Sequence, residues 1–111
     1  MGGINSRAKG NQYEVKVMNE LIELGFNCLT SRNESKRLDD AGVDLVTNFP
    51  FHLQLKRTEQ LRDPEGVLDS MPRDKPRAIL HKKNRKQEII ILEKNEFYLM
   101  VLELERLRNG K

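Results

Sequence analysis

Two short segments with alternating polar and apolar residues place the strongest constraint on this chain. Residues 43–47, "VDLVT", and residues 51–57, "FHLQLKR", are separated by "NFP" at positions 48–50. Alternation with a period of two is typical of strands with one buried face, and asparagine and proline favour a turn. The pattern therefore predicts a hairpin of two neighbouring strands.

The chain before this hairpin predicts a helix, a short strand and a polar loop. Residues 6–25 form the helix, with Ser6 as a cap and Gly25 at its end. Its apolar positions recur at helical spacing: Tyr13, Val17, Leu21 and Leu24, with Met18 and Ile22 beside them. Residues 26–31 are the predicted strand, and residues 32–42 are a loop without periodicity.

The second half of the chain predicts two further strands and a closing helix. Residues 77–83 form one strand. Residues 88–93, "EIIILE", contain an unbroken apolar run, which predicts a central strand buried on both faces. A helix follows over 95–110, with Asn95 as its cap, and a short helix is expected over 65–71. We therefore expect one domain, residues 1–111, with an α/β sandwich in which helices flank a mixed central sheet.

Positive charge is concentrated in one part of the sequence. The net charge is only +3, but residues 72–87 contain seven basic residues and one acid. The basic residues are Arg73, Lys75, Arg77, Lys82, Lys83, Arg85 and Lys86. Such a local excess suits a surface that binds a polyanion, and the alternative is a solvated loop that contributes to solubility.

A single cysteine limits both the chemistry and the cellular compartment. Cys28 has no cysteine partner in this sequence, so an intrachain disulfide and a zinc site built from clustered cysteines are excluded. We expect a reducing, cytoplasmic setting. No apolar stretch reaches the length of a membrane span, so we expect no association with a membrane.

Oxygen-bearing side chains could meet where the first helix lies beside the hairpin. Glu14 and Asp44 would then both reach a divalent cation, with the Leu55 carbonyl and the Gln54 side chain as further donors. Magnesium prefers such oxygen ligands, and manganese is a common substitute. The alternative for Glu14 is an ordinary position on a helix surface.

Lys56 lies two residues after Gln54, so both side chains are expected on one face of the strand. A lysine beside an attacking water can orient it and offset negative charge in a phosphoryl-transfer transition state. The alternative is that Lys56 only ends an edge strand, as lysines often do.

The motifs together resemble a known enzyme superfamily. "GVDLV" followed by "LQLK" resembles the core of the PD-(D/E)XK nucleases. The first part of the chain resembles the archaeal and phage-type Holliday junction resolvases within that superfamily. The matching positions are Lys9, Gly10, Glu14, Gly25, Phe26, Arg32 and Ser35.

This resemblance implies a restriction-endonuclease-like fold and a magnesium-dependent endonuclease that cuts four-way DNA junctions as a homodimer. It implies catalytic roles for Glu14, Asp44, Gln54 and Lys56, and a role for Ser35 in cleavage or phosphate contact; the alternative for Ser35 is to cap a turn. The residues expected to hold the DNA backbone are Arg7, Lys9, Arg32, Lys82, Lys83, Arg85 and Lys86. A phage-encoded protein of this kind would act in the host cytoplasm.

Two positions depart from the family pattern. Val43 replaces the usual proline before the acid, and Gln54 replaces an acid, which removes one negative charge from the expected metal site. The same glutamine occurs in Mrr-like nucleases, so the chain also resembles a nuclease that cuts duplex DNA. Asp40 is a possible supplementary acid, or part of a solvated turn with Asp39. A non-catalytic protein that binds branched DNA is the third alternative.

Overall fold

The computed structural model describes the backbone of residues 2–110 and the side chains of residues 7–110. Within that part of the chain, five helices and five strands follow one another in a mixed α/β order. They are α1 (Gly2–Glu23), β1 (Cys28–Thr30), α2 (Ser31–Glu34), α3 (Lys36–Asp40), β2 (Leu45–Thr47), β3 (His52–Lys56), α4 (Pro64–Ser70), β4 (Arg77–His81), β5 (Ile89–Leu92) and α5 (Lys94–Asn109). The predicted α/β class is confirmed.

The strands form two small sheets. Strands β1 and β2 pair antiparallel, while β4 pairs parallel with β3 and antiparallel with β5. The predicted hairpin is thus only partly formed, because β2 and β3 belong to different sheets. The Asp44 N–H still donates to the Leu53 carbonyl at 2.9 Å, which joins the two sheets at the start of β2.

Helix α1 covers one face of the larger sheet. Tyr13, Val17 and Leu21 recur every four residues and pack with Leu53 and Leu55 of β3. This spacing places the three side chains on one side of the helix, as the sequence predicts. Ile22 and Leu24 are exposed and lie outside this stripe. Cys28 is buried in the same cluster, as expected of a small apolar residue.

Helix α4 covers the opposite face of the same sheet. Its Leu68 packs with Met71, Val43 and Ile79 in a second core cluster. Ile79 follows Ala78, which belongs to the first cluster, and successive side chains of a strand point to opposite faces. The larger sheet is therefore buried between α1 and α4, which gives the sandwich arrangement that the sequence predicts.

Residues 58–76 form the crossover that two parallel strands require. The Asp63 side chain accepts a hydrogen bond from the Gly66 N–H and caps the start of α4, whose first residue is Pro64. Arg77 is buried, and its guanidinium donates to the carbonyls of Leu68 (2.8 Å) and Met71 (3.4 Å). This segment supplies Leu68 and Met71, two of the four buried residues of the second core cluster.

Three sequence predictions about element positions are wrong. Residues 32–42 contain the short helices α2 and α3 instead of an open loop. Helix α1 begins at Gly2, so Ser6 lies inside it and not at its start; the Ser6 side chain is outside the described residues. Glu93 occupies the cap position of α5, so Asn95 lies within that helix.

Strand β5 was predicted to be central, but it lies at the edge of the three-stranded sheet. Ile89 and Ile90 each remain 51 % exposed. An apolar run indicates that a strand is buried, but it does not indicate which part of the structure packs against it. The central strand is β4, which packs between β3 and β5.

Helix α5 extends away from the rest of the molecule, whose longest dimension is 55 Å. None of its residues is buried. The large apolar side chains that it exposes are Phe97, Tyr98, Leu99, Met100, Val101, Leu102, Leu104 and Leu107. Even so, the helices of the described residues include none with the length and apolar character to cross a membrane.

Candidate metal and catalytic site

Asp44 lies between the two sheets and is fixed by three hydrogen bonds. Its N–H donates to the Leu53 carbonyl (2.9 Å), its carbonyl accepts from the Ser31 N–H (2.9 Å), and its Oδ2 accepts from the Leu55 N–H (2.7 Å). Burial raises the pKa of the Asp44 carboxyl to about 7. The Leu55 N–H and the charge of Lys56 lower this pKa, and the charge of Glu14 raises it.

The backbone N–H and carbonyl groups of strand β3 point alternately to its two edges. The His52 N–H and the Lys56 carbonyl bond to the β4 side, while the Leu53 carbonyl and the Leu55 N–H bond to Asp44. The N–H and carbonyl of one strand residue point to the same edge. The Leu55 carbonyl therefore faces the Asp44 side, where the sequence predicts a metal ligand.

Gln54 and Lys56 share one face of β3, as their spacing predicts. In the orientation that satisfies its neighbours, the Gln54 amide accepts from Lys56 Nζ (3.3 Å) and donates to the Gly42 carbonyl (3.2 Å). This contact orients the lysine. It also means that Gln54 is already engaged with two partners in the absence of a cation.

Glu14 lies at the edge of the buried stripe of α1, one residue after Tyr13. Arg32 Nε donates to its Oε1 at 2.7 Å, in a pair at the surface whose side chains are 33 % (Arg32) and 16 % (Glu14) exposed. The Glu14 charge raises the pKa of Asp44, so Glu14 lies within electrostatic range of that carboxyl. Arg32, predicted to hold DNA, pairs with this candidate metal ligand, and its role in DNA binding stays a prediction.

The donor set fits a hard divalent cation that keeps several waters. The candidate oxygen donors are the carboxylates of Glu14 and Asp44 and the Leu55 carbonyl, and Gln54 can add a neutral amide oxygen. Within residues 7–110, no three His, Cys, Asp or Glu side chains are grouped to hold a metal. Magnesium commonly binds through one or two carboxylates plus water and substrate phosphate, so the smaller set suffices.

Ser35 and the loop acids have other partners. The Ser35 hydroxyl accepts from the Leu38 N–H at 3.2 Å and caps α3, the alternative role considered above; its role in cleavage stays a prediction. Asp40 pairs with Lys36 at the exposed surface (3.1 Å). Asp39, not Asp40, contributes charge that raises the pKa of Asp44.

Two residues that support the site were not found from the sequence. Ser31 is fully buried, and its hydroxyl donates to the Val43 carbonyl at 2.5 Å, just before Asp44. Gly42 has a φ of +82°, and a Cβ there would lie 3.3 Å from the Gln54 amide. A glycine before a strand signals a turn, but only the folded chain shows what lies against it.

The basic run 72–87 is divided between the two ends of β4. Arg73 lies before β4, Arg77 is buried within it, and Lys75 donates to the carbonyls of Thr47 and Phe49. Lys82, Lys83, Arg85 and Lys86 lie beyond its other end. A five-residue strand spans roughly 16 Å. Only the second group lies near the candidate site, at the same strand end as Lys56.

Both histidines are buried. His52 Nε2 bonds Asp74 Oδ1 at 2.8 Å, and His81 Nε2 bonds the Thr58 carbonyl at 2.8 Å. They lie at opposite ends of the β3–β4 pair. Each ties a connecting segment to the sheet.

Comparison with known proteins adds no relative to this geometry: no family model, curated protein or solved structure matches the chain.

The raised pKa of Asp44 predicts how stability changes with pH in metal-free protein. Between about pH 4 and pH 7 the folded chain holds a proton that the unfolded chain has lost, so stability falls as pH rises. Asp44→Asn keeps an acceptor for Leu55 and removes the ionisation. We expect the variant to lose this fall, which amounts to at most about 4 kcal/mol. Urea unfolding at pH 5 and pH 8 measures it.

Asp40→Asn is the matched control, because it removes an exposed acid. We expect its stability to follow that of the parent at both pH values. Magnesium at pH 8 should stabilise the parent and the control but not Asp44→Asn. Parallel pH profiles for all three proteins would contradict a buried, proton-binding Asp44.

Proposed function

We propose that this chain is a magnesium-dependent endonuclease that cuts branched DNA at four-way junctions. The observation that carries the proposal is the buried carboxylate of Asp44, hydrogen-bonded to the Leu55 N–H, with Lys56 and Glu14 acting on its charge. A carboxylate and a lysine on adjoining strands suit hydrolysis of a phosphodiester. The resemblance to the Holliday junction resolvases supplies the DNA substrate.

Asp44, Glu14, the Leu55 carbonyl and the Gln54 side chain would hold Mg²⁺, or Mn²⁺ in its place. The ion would supply Lewis acidity at the scissile phosphate. Lys56 lies next to this donor set and can donate hydrogen bonds to the attacking water and to the phosphate oxygens. Water adds to phosphorus and the bond to the 3′ oxygen breaks, which leaves a 5′-phosphate and a 3′-hydroxyl.

The homodimer belongs to the same proposal. Two symmetric cuts in one junction require two sites related by a two-fold axis. Helix α5 supports a second copy as the partner, since it buries none of its residues and exposes eight large apolar side chains. Strand β5 adds the half-exposed Ile89 and Ile90.

The charge of α5 also suits a second copy. Its three acids and three basic residues balance, and Arg106 and Arg108 pair with Glu103 and Glu105 on the same helix. A helix that binds anionic lipid carries more basic than acidic residues on its polar face, and α5 has no such excess. A neutral, apolar helix is better matched by another neutral, apolar helix.

The direct test is cleavage of a synthetic four-way junction with magnesium, manganese or chelator. Asp44→Asn should abolish cleavage and leave junction binding nearly intact. Lys56→Ala should lower the single-turnover rate by at least about 100-fold, because it removes a group that acts in the transition state. Lys36→Ala, which removes an exposed charge, should cleave as the parent does.

Each alternative function gives a distinct result in this test. Cleavage of linear duplex without preference for the junction would favour an Mrr-like nuclease. Junction binding without cleavage in any metal would favour the non-catalytic protein. Cleavage that persists within a few fold in Asp44→Asn would show that the proposed site is wrong.

A magnesium titration of three proteins tests the ligand role of Gln54. At pH 8, above the pKa of Asp44, Gln54→Glu should lower the magnesium concentration for half-maximal cleavage, because it adds a charged oxygen donor. Gln54→Leu should raise that concentration or abolish cleavage. Identical midpoints and rates for all three would mean that Gln54 does not touch the metal.

The dimer is tested by a charge on α5. Leu104→Glu should convert the protein to a monomer in light scattering after gel filtration, because it places charge on an apolar interface. Its far-UV circular dichroism should be retained, since Leu104 is not part of the core. Leu24→Glu, at an exposed apolar position after α1, is the control and should stay dimeric. A parent protein that is monomeric at micromolar concentration would refute the dimer.

A further inference from the structure

A second group of basic residues lines a cleft between the first half of α1 and the end of β3. Its lining residues are Lys9, Gln12, Tyr13, Lys16 and Arg57. No carboxylate is among them. The cleft lies on the two segments that also carry candidate site residues, because Tyr13 precedes Glu14 in α1 and Arg57 follows Lys56 at the end of β3. We call it the α1–β3 cleft.

Two cations of this cleft, Lys9 and Arg57, donate hydrogen bonds to neutral acceptors. Lys9 Nζ donates to Asn84 Oδ1 (3.4 Å), and Arg57 donates to Asn84 Oδ1 (2.9 Å) and to the Lys82 carbonyl (3.3 Å). These acceptors are neutral. Among the side chains of residues 7–110, neither cation has a carboxylate in an ion pair. Lys16 differs, since Glu20 and Glu88 both lie 3.1 Å from its Nζ.

The turn that follows β4 holds the cleft in shape. Asn84 contacts both cations, and its N–H donates to Glu59 Oε2 at 2.6 Å. Tyr13 donates from its hydroxyl to Glu88 Oε2 at 2.9 Å, which ties α1 to the start of β5. Positively charged side chains held in place lose less conformational freedom when an anion binds between them.

We propose that Lys9 and Arg57 form a phosphate-binding site in the α1–β3 cleft, which takes a backbone phosphodiester of DNA. Arg57 is the new residue here, and its planar guanidinium suits a phosphate better than a lysine does. Asn84 is a positioning residue that holds both cations without neutralising them. That the bound phosphate lies beside the one that is cut rests on the nuclease proposed above; the binding itself does not.

The test measures binding of the full chain to a fluorescent four-way junction in the presence of chelator. Arg57→Ala should weaken binding roughly tenfold at low salt, as expected for the loss of a charged hydrogen bond. The slope of log affinity against log salt should become shallower by about 0.9. Arg73→Ala removes one exposed charge from the opposite end of β4, and it should bind within about twofold of the parent.

A second variant guards against a fold defect in Arg57→Ala. Asn84→Asp is nearly isosteric and keeps the Oδ1 that accepts from both cations, but its negative charge would offset the positive charge of Lys9 and Arg57. We expect it to lose affinity and salt dependence in the same direction, with an unchanged melting temperature. Binding by Arg57→Ala and Asn84→Asp that matches the Arg73→Ala control would overturn the phosphate site. Absence of cleavage by the parent would instead contradict the nuclease alone.

Discussion

The hydrogen bonds between Asp44 and strand β3 determine how the rest of the site is arranged. The Asp44 N–H and carboxylate bond the Leu53 carbonyl and the Leu55 N–H, at 2.9 and 2.7 Å. These two bonds join the sheets where β2 begins, and they turn the Leu55 carbonyl toward the same carboxylate. A junction between sheets leaves backbone groups without ladder partners, so a side chain completes them. Asp44 is therefore buried for a structural reason, and this burial raises the pKa of its carboxyl.

Local periodicity predicted what depends on single elements. The stripe of Tyr13, Val17 and Leu21 and the shared face of Gln54 and Lys56 both follow from the pitch of a helix or the pleat of a strand. These predictions are confirmed by the core of α1 and by the 3.3 Å contact between Gln54 and Lys56. The fold class followed from the order of such elements. The nuclease activity, by contrast, stays a proposal that the cleavage test decides.

Features that depend on long-range placement could not be predicted in the same way. Residues 72–87 are continuous in sequence, but β4 carries Arg73 and Lys82 to opposite ends of the sheet. Ser31 supports Asp44 only because β1 and β2 pair. Strand β5 has the apolar composition of a central strand but lies at the edge of its sheet. Like α5, it leaves large apolar side chains exposed. In each case the deciding contacts come from residues that are distant in the sequence.

The neutral residue at position 54 has an electrostatic consequence for this site. Burial raises the pKa of Asp44 to about 7, the Leu55 N–H and the charge of Lys56 lower this pKa, and the charges of Glu14 and Asp39 raise it. An acid at position 54 would add another negative charge near Asp44, and like charges raise a carboxyl pKa further. A proton would then compete with magnesium at neutral pH. Glutamine accepts from Lys56 without adding that charge. In the proposed metal site it would therefore leave Asp44 easier to ionise, while it would bind the metal less tightly than an acid. Metal affinity and proton affinity would then oppose each other at position 54, and pH would determine which residue gives the more active form of the proposed nuclease.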